Sequence, residues 1–236
     1  MDKTPVWKFA KQQHRENKQQ INNKENAIKN KLHIMLPSYS YFFMRYFYSF
    51  IIIFCFCISC SNPKYKNPHV EIQTKFGDIE VELYPDKAPK SVAAFLSYVD
   101  SGYYKNASFY RALNDDNQPM GNTETALLQG GIWKTKPSIK LPGITHETTQ
   151  QTKLTHKNGT ISLARQAPGT ANTEFFICIG DQKGFDYGGS NNPDGQGYAA
   201  FGQVVKGMDL INQFYTQPTD DDMLKQQVEI LNIVRL

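Results

Sequence analysis

Apolar residues alternate at Ile79, Val81 and Leu83 in HVEIQTKFGDIEVELYP, a period of two that predicts a half-buried strand. Phe76-Gly77-Asp78 reads as the turn from a preceding strand, which makes the stretch a β-hairpin. In APKSVAAFLSYVDSG the period changes, with Val92, Phe95, Leu96 and Val99 at helical spacing, Pro89 at the first helical position and Gly102 just past the end. That punctuation predicts an amphipathic helix. GTISLAR, EFFICIG and YAAFGQVV read as short strands, GMDLINQFYT as a second short helix and VEILNIVRL as a closing strand. Many strands, few helices and no βα alternation predict a closed or sandwiched β-architecture rather than a parallel sheet.

Residues 69–236 suffice for one domain with its own core, and the remainder of the chain reads differently. Residues 1–43 are polar, rich in Lys, Asn and Gln and without an apolar period. They read as a disordered extension or as an upstream start assigned in error, the latter favoured because a signal begins near its apolar region. MRYFYSFIIIFCFCISC, residues 44–60, carries one Arg45 and an apolar run from Tyr46 to Ile58, too short to span a bilayer comfortably and suited to a secretory signal. Ser59-Cys60 resembles the end of a bacterial lipoprotein signal, with Cys60 the lipidated first residue, although Cys57 stands where leucine is usual. SNPKYKNP, residues 61–68, would be a polar tether. The leader thus implies a protein of the bacterial cell envelope, held to a membrane by lipid and facing the periplasm or the cell surface.

Charge and cysteine content narrow the chemistry. Of the 26 Lys and Arg and 22 Asp and Glu, nine and three fall at or before Cys60, leaving 17 against 19 in the domain. A domain so near neutrality has no electrostatic footprint for nucleic acid. Cys178 is the domain's single cysteine, so it forms no intrachain disulfide there and reads as a small buried apolar residue. No His-Glu-x-x-His, Gly-x-Ser-x-Gly or phosphate loop is present, and His69, His146 and His156 lack ligand-like spacing. They read as surface or loop residues, and neither a metal nor a cofactor is expected. GGSNNPDGQG, residues 188–197, lacks the alternating carboxylates of a calcium loop and reads as a long turn.

One arginine stands out. In SFYRALNDDNQPMGNTETALLQGGIW, Arg111 sits beside apolar and aromatic residues, and the domain's other arginines are Arg165 and Arg235. A guanidinium keeps its charge and presents five donors in a rigid fork, so it needs a partner there. A surface carboxylate and a ligand would each serve.

FYR followed by QGG, then GTISLAR, TEFFICIGD and AAFGQVVKGMDLI, preceded by the hairpin and APKSVAAFLSYV, resembles the cyclophilin-type peptidyl-prolyl cis-trans isomerases. The likeness runs in order over nearly all of residues 69–236. It implies a mainly β fold, a closed eight-stranded antiparallel barrel capped by two α-helices, with the active groove on the barrel's outer face. It also implies a monomeric isomerase without cofactor that acts on proline-containing polypeptides, and, with the leader, one that assists folding of exported or envelope proteins. By resemblance Arg111 is the catalytic arginine, Gln129 its neighbour and Phe176 the aromatic floor of the proline pocket. Leu127 takes a pocket position usually held by methionine, Phe185 that of a leucine and Tyr198 that of a rim histidine. Ala164 and the backbone of Arg165 would line the groove for the residue before proline. Ala126 stands where a phenylalanine is usual and Gly184 where some members have tryptophan. Glu174 replaces a glutamine and is expected to be the carboxylate able to pair with Arg111 and restrain it. A proline-binding module without turnover, and a surface-interaction lipoprotein working through residues 114–125 and 186–197, are the alternatives.

Overall fold

The computed structural model describes residues 17–30, 65–118 and 125–236. The chain divides into two units, Met1–Pro63 and Lys64–Leu236. In the first, residues 17–30 form helix α1, exposed along its whole length. The polar composition predicts no regular structure there, but Lys, Gln and Glu are good helix formers and need no buried face to favour a helix. The leader at residues 44–60, including Cys60, lies outside the described residues.

The second unit begins with the hairpin. β1 (His69–Thr74) and β2 (Gly77–Leu83) pair antiparallel with Thr74 opposite Gly77. After helix α2 (Pro89–Asp100) come β3 (Ala107–Leu113), β4 (Leu127–Gly131), the one-turn helix α3 (Thr149–Thr152), β5 (Thr160–Leu163) and β6 (Phe175–Cys178). β7 (Ala199–Lys206), helix α4 (Met208–Tyr215), the two-residue β8 (Thr219–Asp220) and β9 (Met223–Arg235) complete it. Eight strands follow one another around the sheet as β1-β2-β7-β5-β6-β4-β3-β9, and β9 pairs back onto β1. The sheet is therefore a closed eight-stranded antiparallel barrel, and closure leaves it no open edge. β8 is a short arm on the start of β9. The closing strand begins five residues before VEILNIVRL, at Met223.

Strand alternation sorts side chains between the barrel interior and its outer face. Leu128, Ile161, Leu163, Phe175 and Ile177 point into the main core, while Leu127, Phe176 and Cys178 form a second cluster. Helices α2 and α4 add Val92, Phe95, Ile211 and Phe214 to that main core. Phe95 meets Phe175 edge-on at 5.9 Å and lies tilted against Phe201 at 5.1 Å. The N-terminus of α2 has no capping side chain of its own. Glu147 serves instead, accepting from the backbone N–H groups of Lys90 and Ser91 at 3.1 and 2.8 Å, which satisfies donors that an α-helix leaves open and places negative charge at the positive end of its dipole.

Phe175 is fully buried and meets Phe95, Tyr104 and Phe109 edge-to-face at 5.8–5.9 Å. Phe175→Ala should lower the unfolding free energy by about 3–5 kcal/mol. Denaturant unfolding that shows a loss below about 1 kcal/mol would contradict this packing.

Candidate functional site

β3 departs from strict alternation at a bulge. Phe109 pairs with Gly130 and Arg111 with Gln129, with a register shift between Phe109 and Arg111. Phe109 and Ala112 both belong to the core, so the extra residue places Tyr110 and Arg111 together on the outer face. A bulge of this kind re-aims side chains. Continuing across the sheet, Gln129 pairs with Phe176, Phe176 with Ser162 and Ser162 with Ala200. The register thus sets Arg111, Gln129 and Phe176 in one row over three adjacent strands.

The Gln-Gly-Gly of β4 fits this geometry. A Cβ on Gly130 would lie 2.8 Å from the Phe109 ring, and one on Gly131 would run into the Glu174 carboxylate. Gly131 also has φ +149, a conformation open to glycine and strained for other residues.

Beside the row lies a groove of about 610 Å³, lined among others by Tyr110, Arg111, Gln129, Trp133, Ala164 and Glu174. Arg111 is held on two sides. Its Nε donates to Asp222 Oδ2 at 2.7 Å and its Nη1 to Gln129 Oε1 at 2.9 Å. Nη2 makes no hydrogen bond to another described residue. Gln129 Nε2 donates to the Tyr110 hydroxyl at 2.7 Å, and Tyr110 donates to Glu174 Oε2 at 2.7 Å. Glu174 therefore does not pair with Arg111. It also accepts from the backbone N–H groups of Ile132 and Trp133, at 2.9 and 3.0 Å, and from the Thr173 hydroxyl at 3.1 Å. Burial nevertheless pushes its carboxyl above the usual range, against the opposing pull of those donors, and burial with the nearby Glu174 charge raises the Tyr110 phenol strongly.

The apolar residues named from sequence gather next to this groove rather than in its lining. Leu127, Phe176, Cys178 and Phe185 form a buried cluster with Leu113, Ala164 and Tyr198 packed against it. The rings of Phe176, Phe185 and Tyr198 meet one another edge-on, each pair at 5.2 Å. Ala164 belongs both to this cluster and to the groove wall, so the two abut there. Behind the rings is His156, fully enclosed and stacked on Phe176 at 6.0 Å. Its Nδ1 lies 2.8 Å from Asp186 Oδ1 and its Nε2 3.0 Å from Ser162 Oγ. It lies on a loop, as one half of its reading had it, but not at the surface: both ring nitrogens have partners, which makes burial of an imidazole tolerable. His69 is likewise buried, bonded to Glu80 and stacked on Tyr65. His146 is half-buried, and burial lowers its pKa.

Arg165 lines the groove, but its side chain is wholly shielded from solvent. The guanidinium makes a bidentate pair with Asp194 at 2.7 and 2.9 Å, donates to the Gly197 carbonyl and lies 5.4 Å over the Tyr198 ring. It thereby ties down the long turn of residues 188–197. Ala126 accepts from the Ile179 N–H and forms part of the sheet's margin. Residues 119–124, within the insertion 114–125, lie outside the described residues; Asn114 caps the short 3-10 turn Asp115–Asn117. Among the described residues no His, Cys, Asp and Glu side chains cluster in a way that would hold a metal ion.

Sequence reasoning missed Asp222, Tyr110, Trp133, His156 and Asp186. Asp222 reaches Arg111 from 111 positions away, so no local pattern marks it. Tyr110 stands next to Arg111 in the chain, and its place on the same face follows only from the bulge.

Residues 69–235 match the family model described as cyclophilin type peptidyl-prolyl cis-trans isomerase/CLD. A peptidyl-prolyl cis-trans isomerase of Acinetobacter baylyi is 31% identical over 71% of this chain and 85% of its own length. Peptidyl-prolyl cis-trans isomerase B of Escherichia coli is 34% identical over 67% of this chain and 91% of its own. A crystal structure of a cyclophilin type peptidyl-prolyl cis-trans isomerase from Cryptosporidium parvum superposes with a TM-score of 0.57 at 23% identity, covering 72% of this chain and 98% of that one.

The Arg165 fork holds the Asp194 carboxyl down to about 2 from an ordinary 3.8. A carboxyl depressed on folding contributes stability that is present above its unfolded pKa and is lost as pH falls from about 4 through about 2. An NMR titration of Asp194 should return toward the ordinary range in Arg165→Ala. An unchanged midpoint would show that Arg165 is not what depresses the carboxyl.

Proposed function

This chain belongs to the family of cyclophilin-type peptidyl-prolyl cis-trans isomerases, and from that premise we propose that Arg111 lowers the rotation barrier of a prolyl amide bound in the groove. Peptide-bond rotation faces a barrier of ~18–20 kcal/mol because the nitrogen lone pair is delocalised into the carbonyl, and in Xaa-Pro bonds the exchange still takes tens of seconds or more. In the twisted transition state the lone pair returns to the prolyl nitrogen, which becomes a better hydrogen-bond acceptor. A guanidinium that donates to the proline carbonyl and toward this nitrogen binds the transition state more tightly than either ground state.

The observation that carries this reading is the two-sided hold on Arg111. Asp222 engages Nε and Gln129 engages Nη1, while Nη2 makes no hydrogen bond to another described residue. A donor fixed in advance needs no reorganisation as charge develops. Gln129 Nε2 has a second hydrogen, which serves a substrate carbonyl. The cluster of Leu127, Phe176, Phe185 and Tyr198, joined to the groove at Ala164, favours an apolar ring fixed there while the preceding acyl group turns. No proton is transferred and no covalent bond forms.

The clients we propose are exported or envelope proteins, met by an isomerase anchored through Cys60 and acting as a monomer. The support is the leader, with its apolar run from Tyr46 to Ile58 followed by Ser59-Cys60. One acyl chain binds a membrane only marginally, whereas the multiple chains of such lipoproteins hold stably.

Arg111→Ala should lose about 10²- to 10³-fold in turnover of an Xaa-Pro peptide. Arg111→Lys should fare nearly as badly, because a point charge on a flexible stem does not reproduce a planar fork. Near-parental turnover by folded Arg111→Ala would dismiss the mechanism. For the anchor, Cys60→Ser should leave the precursor uncut or release the protein from detergent-phase extracts, and intact mass showing processed protein with an unmodified Cys60 would refute it.

A further inference from the structure

We infer that Glu174, acting through Tyr110, fixes which end of the Gln129 amide faces Arg111, and is a positioning residue for isomerisation. The inference rests on the reading of Arg111 as the donor to the prolyl amide. An ionised carboxylate only accepts hydrogen bonds, so the hydroxyl hydrogen of Tyr110 goes to Glu174 Oε2, 2.7 Å away. The phenolic oxygen is then an acceptor, and it takes an N–H from Gln129 Nε2 at 2.7 Å. With Nε2 held there, Oε1 faces Arg111 Nη1 at 2.9 Å. Turned over, the amide would set its NH2 hydrogens against those of Arg111, and its oxygen against a hydroxyl whose hydrogen is already committed. The order Arg111 to Gln129 to Tyr110 to Glu174 therefore has one direction.

Two features hold the far end of this chain. Glu174 accepts backbone N–H groups from both Ile132 and Trp133 and a hydroxyl from Thr173, so its carboxylate is anchored by the strand end and not by the groove. Gly131, lacking a Cβ, leaves the space that the carboxylate occupies. A glutamine at position 174 would carry an NH2 group able to donate to the Tyr110 oxygen, and the direction of the chain would no longer be fixed. The carboxylate thus determines that the remaining Nε2 hydrogen of Gln129 is a donor to bound substrate. A flipped Gln129 would offer an acceptor at that point and repel the Arg111 fork.

The test is a mutant cycle on the full-length protein, read as kcat and KM on an Xaa-Pro peptide. Tyr110→Phe preserves the ring's shape and should lose about fivefold to twentyfold in kcat with KM changed less than about twofold, as expected when an interaction acts in the transition state. In a Gln129→Ala background the same substitution should add less than about twofold, because its route is already cut. Glu174→Gln should reproduce the kcat loss, and its combination with Tyr110→Phe should not exceed the larger single effect by more than about twofold. Thermal melts verify that each variant is folded. Equal losses from Tyr110→Phe with and without Gln129, or unchanged kcat in both folded Tyr110→Phe and Glu174→Gln, overturn the inference while Arg111→Ala remains impaired. Unimpaired Arg111→Ala would instead sink the underlying reading of Arg111.

Discussion

The site depends on one irregularity, the bulge in β3. Alternation along β4, β5 and β6 sends Leu128, Ile161, Leu163 and Phe175 inward, and bulges also interrupt β7 and β9. Between Phe109 and Arg111 the register shifts, and two consecutive side chains reach the outer face together. Without that extra residue Tyr110 and Arg111 would point to opposite faces, and one of them would be driven into the apolar interior. The bulge thus sets the Arg111 guanidinium and the Tyr110 hydroxyl on one face, both in reach of Gln129.

Closure and function use the same register. The pairing that puts Phe175 against Phe95 and Phe109 inside the barrel puts Phe176 outside, in the same row as Gln129 and Arg111. A stable interior therefore fixes the spacing of the outer row as a by-product. Because interiors are close-packed and resist small displacements, the apolar rings and the polar fork are held on a rigid wall, while the surrounding loops complete the groove.

Charge is arranged in the groove with little exposed pairing left to chance. Asp222 and Glu174 sit at opposite ends of a hydrogen-bonded chain, and the guanidinium and two neutral groups lie between them. The expected antagonist of Arg111, Glu174, is turned away by four donors, and the carboxylate that meets the arginine comes from the β8–β9 turn. Asp222 leaves the fork restrained without covering Nη2. Arg165 is used differently: its charge is neutralised by Asp194, and it braces the turn beside Tyr198.

The sequence by itself determined the hairpin, α2, α4 and most strands, because each has a local period and its own punctuation. It also singled out Arg111, Gln129 and Phe176, through a likeness carried by several motifs in order. β3 and β4 were not legible from periodicity, since a bulge breaks the alternation of one and paired glycines leave the other few side chains to read. Only the tertiary structure decided that Asp222 and not Glu174 binds Arg111, that His156 is enclosed between Asp186 and Ser162, and that Tyr110 joins Gln129 to Glu174. These contacts join residues far apart in the chain, or neighbours whose facing depends on the bulge. Their partners are chosen by barrel register and by which donors burial leaves unsatisfied, quantities that no local stretch of sequence contains.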